Sequence, residues 1–417
     1  MQPRLRLLAW VLAAGMAVGP SAAQTAGPPH VCTLDALGPG LASKSGGGAF
    51  TPCRQPTATF EVDAPDLPAE ARRALDAALD VWACHIASPV PIRVEARWEA
   101  QPPTRLASAG PRATRDADPA LAPATWYPFA LADALAGRDL ARGTPDIEAV
   151  FNRSFPDWHF DPSEPPPPGR YDFATVALHE IGHGLGILGA LAVEDGVGRV
   201  EGPGQGRDPL VYDRFTAGTD GRLLDPLVYP RPSARLAGAL TTAAAFDGWS
   251  VRQSLGESIP LYTPPEWSPG GSYDHVDEDA VPDGLMTPFL ARGERITAPD
   301  LQTCAMLADL GWELAGACAA RVGPVPAPAG APVLVLAGAN PFRERTALRI
   351  VADVPARYRV RLADATGRYV RDLADLTLVP GDERRVSVAG DGLAAGVYAA
   401  TVERGGRIER LWLTRLR

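Results

Sequence analysis

Lysine is almost missing from this chain. Lys44 is the only one among 417 residues, so arginine carries nearly all the positive charge. We read that as coding bias and attach no function to it. The formal net charge is −9 and no basic stripe is present, which argues against a nucleic-acid binder. Histidine is scarce as well, with six residues, so any histidine pattern is informative. Beyond the N-terminus no apolar run is long enough to span a bilayer. With 46% hydrophobic and 21% charged residues, a mostly disordered chain is ruled out. Glycine and proline are plentiful, 42 and 43 residues, which favours a loop-rich protein over a helical bundle. The length exceeds what one core holds, so more than one domain is expected.

The first 23 residues read as a signal peptide. Arg4 and Arg6 precede an apolar stretch from Leu7 to Val18, and Ser21-Ala22-Ala23 supplies small residues for cleavage. The expected location is secreted or cell-surface, where disulfides persist. Five cysteines are present: Cys32, Cys53, Cys84, Cys304 and Cys318. Cys32 and Cys53 bracket a Gly/Ser/Pro-rich stretch and are the expected pair closing it; Cys304 and Cys318 flank a helix end and form a second candidate. Cys84 is left as a buried thiol on a helix. The functional alternative is a cysteine that blocks a metal from a pro-segment, for which the sequence carries no supporting motif.

Residues 24–56 look like an irregular leader. Strand TATFEVD (57–63) leads into a helix from Pro68, with Leu75, Leu79, Trp82 and Ile86 at helical spacing. PIRVEARWEA (91–100) alternates as a half-buried strand; a polar loop, TWYPFALADALAGRDL and the strand DIEAVFNRSF (146–155) follow. A helix starts near Asp172. This order predicts an α+β catalytic domain over 57–320, a twisted sheet with the last helix behind it. Residues 187–285 are read as loop with small elements. TAPDLQTCAMLADLGW (297–312) reads as a helix with a Thr297/Asp300 capping box and a stop at Gly311. RVGPVPAPAGAP (321–332) is a linker by composition. Residues 333–417 then show short β-branched runs at regular spacing, which predicts a small β-sandwich.

FATVALHEIGHGLGILG (173–189) carries the chemistry. His179 and His183, four apart on a helix, can meet one ion, and zinc is the favoured metal. Glu180, next to the first ligand, is placed to act as general base toward a metal-activated water. Chance produces this H-E-x-x-H pattern roughly 0.4% of the time at this chain's own frequencies. Gly182, Gly184 and Gly186 weaken the helix, by about 1 kcal/mol each against alanine, so a reason for them is expected. Gly186 is positioned to end the helix. A catalytic zinc needs a third protein ligand. His275, His159 and the carboxylates Glu194, Glu201 and Asp274 are candidates; His30 and His85 read as structural or solvated. The acidic run DHVDEDAVPDG lacks calcium-loop spacing and reads as a solvated loop.

H-E-x-x-H-x-x-G, with Gly186 as its glycine, resembles the metzincin motif, although Gly189 stands where the third histidine would fall. GGSYDHVDEDAVPDGLMTPFL, with His275 eleven residues before Met286, resembles a metzincin whose third histidine is displaced by an insertion, as in leishmanolysin-type peptidases. LMTPF resembles the Met-turn, and the helix ending DLGW the family's C-terminal helix. The resemblance implies a zincin-like fold and zinc held by His179, His183 and His275, with Glu180 catalytic. The substrate it implies is a protein or peptide. Within 333–417, Asn340-Pro341-Phe342, Asp364-Ala365-Thr366-Gly367-Arg368 and Gly396-Val397-Tyr398 are similar to the C-terminal sorting domain of type IX secretion substrates, which implies that secretion machinery as a partner. The expected function is a secreted zinc endopeptidase. The alternatives are a surface adhesion protein on the same scaffold, or a zinc hydrolase of non-peptide bonds. DIEAVFNRSF is either the edge strand beside the cleft or an ordinary core strand.

Overall fold

Strand and helix signals of the first 320 residues converge on one mixed sheet with helices packed against it. The structure, a computed structural model, describes residues 24–26, 32–36, 47–118, 120–122, 124–322, 333–352, 356–379, 382–404 and 407–416. The predicted signal peptide, His30 and residues 323–332 of the predicted linker lie outside them; 321–322 end a short helix, Gly316–Val322.

The sheet is built from β1 (Cys32–Ala36), β2 (Phe60–Asp63), β3 (Ile92–Glu99), β4 (Arg105–Pro111), β5 (Ile147–Asn152) and β6 (Phe289–Leu290), in the order β6-β1-β4-β5-β3-β2. In β3 the alternation works as read: Ile92, Val94 and Ala96 are buried while Arg93, Glu95 and Arg97 face outward. β2, β3 and β5 are mutually parallel, and β4 runs antiparallel to β5. Strand β5 is therefore interior to the sheet, so the edge role weighed for DIEAVFNRSF fails. The strand β4, paired between β1 and β5, lies inside the stretch expected to be a polar loop. Its sequence, RLASAGP, has no β-branched residue, so only pairing with β1 and β5 makes it a strand.

Helix α1 (Ala69–Ala83) buries Leu75, Leu79 and Trp82 as the spacing predicts. It packs on α2 (Phe173–Gly184), where the Trp82 indole N–H donates to the Leu178 carbonyl at 3.0 Å. Asp172 caps α2, accepting from the Thr175 amide at 3.1 Å. Helix α3 (Leu301–Leu310) ends at Gly311 (φ +116°) as expected, but its cap is Asp300 alone, so the helix begins later than the Thr297 capping box predicts.

Disulfides join Cys53 to Cys84 and Cys304 to Cys318. The second is the expected pair; the first corrects the expected Cys32–Cys53 bridge and the free Cys84. Strand formation accounts for the change. Pairing of Cys32 with Ala109 carries the leader into the sheet, while the chain at Thr57 hydrogen-bonds the end of α1 beside Cys84. Cys32 remains a buried free thiol.

The C-terminal strands are β7 (Leu334–Leu336), β8 (Arg345–Val351), β9 (Ala356–Asp364), β10 (Tyr369–Leu378), β11 (Glu383–Ala389), β12 (Gly396–Arg404) and β13 (Arg407–Arg415). They form two antiparallel sheets, β7-β8-β11 and β10-β9-β12-β13, whose inner faces share one cluster including Leu348, Ile350, Val360, Leu362, Val388 and Val402. Phe342 is buried and its amide donates to Thr414 at 2.9 Å; Asp364–Arg368 makes the β9–β10 turn, and Gly396–Tyr398 opens β12.

Candidate metal centre

Helix geometry sets the first two imidazoles. His179 and His183 lie one turn apart on the buried face of α2, with their Nε2 atoms 2.9 Å apart. The chain then turns at Gly186 (φ +119°), as its position past the helix suggested. The segment that follows forms a hairpin (Leu191–Glu194 with Val197–Val200) and short helices Ala234–Leu240 and Trp249–Leu255. It brings back His275, whose Nε2 lies 3.2 Å from that of His183 and 3.3 Å from that of His179. The three histidines read from the sequence are thus one cluster, fully buried.

Each imidazole is held by its other nitrogen. Nδ1–H of His179 donates to the Leu285 carbonyl at 2.6 Å, that of His183 to Ile187 at 2.6 Å, and that of His275 to Gly271 at 2.9 Å. This fixes the tautomer, so all three Nε2 lone pairs face one another with no proton between them. Such a set is repulsive by itself and suits a divalent cation that takes imidazole nitrogen. Tetrahedral zinc at about 2.0–2.1 Å would place its nitrogens ~3.3 Å apart, close to the spacing seen. Burial holds the His179 ring down to about 4 and the other two well below the usual range, keeping all three neutral, the form that binds metal.

Glu180 is also fully buried, and neither carboxylate oxygen has a well-aligned hydrogen-bond partner. Burial pushes its carboxyl well above the usual range, opposed by the Leu34 amide facing it and the Arg105 guanidinium. An acid buried without a partner, one residue from His179 on the same helix, is costly unless a ligand or proton satisfies it.

The glycines of the motif have packing reasons. A Cβ on Gly182 would lie 2.7 Å from Sδ of Met286, and one on Gly184 would overlap Ile147 of β5. Gly189 lies against Tyr273 and Asp213. Asp213 accepts from the Ala190 and Leu210 amides and from the Tyr273 hydroxyl, tying the segment after Gly186 to the loop that carries His275.

The other candidates stand elsewhere. His159 faces the Glu164 carbonyl at 3.0 Å, outside the cluster, and His85 faces Val81. Glu194 is exposed and paired with Arg199. Glu201, half-buried, lies outside the cluster. Asp274 adjoins the site but accepts from the Gly189 amide at 2.6 Å. What sequence reasoning missed is Cys32: ligand atoms of Cys32, His183 and His275 lie within 4.8 Å of one another. The apolar alternation of Cys32, Leu34 and Ala36 was the signal that this leader segment is a strand. No protein-family model matches the chain, and no curated protein matches it in sequence.

Proposed function

We propose that this chain is a secreted zinc-dependent endopeptidase with a zincin-like catalytic domain and a C-terminal sorting domain that engages type IX secretion machinery. One observation carries the reading: three Nε2 lone pairs converge beside an unpartnered, buried Glu180. His179, His183 and His275 would hold zinc. The metal supplies, when bound, a Lewis acid that polarises the scissile carbonyl and acidifies a water. Glu180 takes that water's proton and returns it to the leaving amine, which its freedom from other hydrogen bonds allows. The backbone carbonyls of Leu285, Ile187 and Gly271 keep the three rings aimed, so ligand geometry is set before metal arrives.

An adhesion protein on the same scaffold has no use for an unpaired buried acid at the metal, which is why hydrolysis is the better reading. The test is zinc content of the purified protein together with casein cleavage. Glu180→Gln should retain one zinc per chain and lose roughly 10²–10⁴-fold in turnover, the contribution of a general base. Wild-type turnover in that variant would refute the mechanism, and absence of zinc from the wild-type protein would refute the metal site.

A further inference from the structure

We infer that Tyr273 is a positioning residue of this candidate metal centre. Locked to Gly189 by its ring and to Asp213 by its hydroxyl, it sets His275 beside the other two histidines before an ion arrives. The inference rests on the zinc-site reading above and deepens it.

The need for such a residue follows from chain length. A single helix turn places His179 and His183, whereas His275 follows Asp274, which meets Gly189 across 85 residues of sequence. Closing so long a loop costs entropy, and a ligand at its far end stays put only if local contacts hold it. Those contacts converge on Gly189. The Asp274 carboxylate accepts from the Gly189 amide at 2.6 Å. The Tyr273 ring lies so close that a Cβ on Gly189 would be 2.3 Å from its Cε1, so only glycine admits the ring. The Tyr273 hydroxyl donates to Asp213 at 2.9 Å and lies 2.8 Å from the Thr216 hydroxyl. Asp213 in turn accepts from the Ala190 amide at 2.9 Å, next to Gly189. The Tyr273 amide donates to the Tyr262 carbonyl at 2.7 Å, and its carbonyl accepts from the Tyr212 hydroxyl at 3.1 Å. Every polar group of this fully buried residue is engaged.

Its backbone carries strain. Tyr273 has φ +69° and is the only large side chain among the described non-glycine residues with positive φ. A bulky residue keeps that conformation only where its surroundings over-determine it, and such outliers gather at functional sites. Here the left-handed step falls two residues before His275, whose Nδ1–H returns to the Gly271 carbonyl on the other side of Tyr273 at 2.9 Å. Release of Tyr273 from its lock would let that step relax. His275 would then leave its 3.2 and 3.3 Å spacings to His183 and His179, with the helix and its two ligands untouched.

The test measures zinc affinity of the full-length chain by competition with a chromophoric chelator, and the visible absorption of the cobalt(II)-loaded protein. Tyr273→Phe keeps the ring and removes the hydroxyl. It should weaken zinc binding roughly 10-fold or more, the usual loss when a group behind a ligand is removed, and dim the visible cobalt bands as water replaces the third nitrogen. Gly189→Ala, whose methyl meets the ring, should do the same; if it does not fold, Tyr273→Phe carries the test alone. Tyr229→Phe is the control: it removes another buried tyrosine hydroxyl of the same segment, one facing the Asp220 amide at 3.3 Å, and should change neither readout. Wild-type affinity and spectrum in Tyr273→Phe would overturn the positioning role and leave the zinc reading standing. Equal losses in Tyr273→Phe and Tyr229→Phe would also overturn it, as a general loss of stability. Failure of the wild-type protein to bind either ion would overturn the zinc reading, and this inference with it.

Discussion

Residues 47–322 bury Asp133, Asp146, Glu148, Asp172, His179, Glu180, His183, Asp213, Asp274, His275, Glu294, Arg295 and Asp309; among the described residues from 333 onward, only Thr346 and Arg404 are buried polar side chains. The two regions are stabilised in different ways. In the β-sandwich, alternating strands put apolar residues inside, and ion pairs such as Arg349–Glu383 sit half-exposed where they contribute little. In the first region several of the buried acids take on non-local tasks. Asp172 caps α2 and pairs with Arg295 at 2.6 Å. Asp309 of α3 caps the helix Trp249–Leu255 by accepting from Ser250 and Val251. Asp213 orders the approach to His275. Burying a charge costs several kcal/mol unless it is paired and hydrogen-bonded, so these groups accumulate where loops must be held to a site. The sandwich needs no such ties because its strands are neighbours through their own backbone ladders.

The largest expected break in this contrast comes from Asp172→Ala. It strands a buried guanidinium and uncaps α2, which should cost ~3–5 kcal/mol in the unfolding of the first region and leave the sandwich transition unmoved. Calorimetry resolves the two; a loss below ~1 kcal/mol would mean that the pair behaves like a surface one.

A pH series sharpens the same comparison. Burial raises the Asp309 carboxyl from 3.8 to about 6. The native state therefore holds its proton more tightly than the unfolded state. That contribution is complete below 3.8 and is lost as pH rises through about 6. Relative to wild type, Asp309→Asn should gain about 3 kcal/mol across that window. In the sandwich, the hydrogen-bonded Arg357 guanidinium lowers the Asp375 carboxyl, so the sign reverses. Its contribution is present above 3.8 and lost as pH falls further, and Asp375→Asn should gain on wild type only in acid. Equal slopes for the two variants in urea melts from pH 3 to 8 would erase the distinction.

The smallest expected effect is that of Gly184→Ala. A methyl there meets Ile147 of β5, and overpacking of this kind costs ~1–3 kcal/mol, offset in part by the helix preference of alanine. A rise in thermal midpoint would show that α2 and β5 have slack between them.

Much of the candidate site was legible because its residues obey local periodicity. His179, Glu180 and His183 sit on one helix, Asp172 caps it, and Gly186 ends it, all at short range. His275 was reached through the chain around Met286, which packs against Gly182 as a helix-to-loop contact. The disulfide framework was half legible. Cys304 and Cys318 are close in sequence around a helix end, whereas Cys53–Cys84 depends on where α1 leaves the chain and Cys32 on the sheet.

By itself the sequence determined the elements whose signals are short-range: β3 by alternation, α1 by its apolar stripe, α2 by its cap and its histidine spacing, and the sandwich strands by their turns. Only the tertiary structure decided that RLASAGP is a strand, that DIEAVFNRSF lies inside the sheet, and that the leader runs between β4 and β6 with Cys32 at the histidines. The reason is physical. A small-residue strand has no intrinsic preference to announce itself, and a leader's place is chosen by the backbone groups of partners seventy and more residues away.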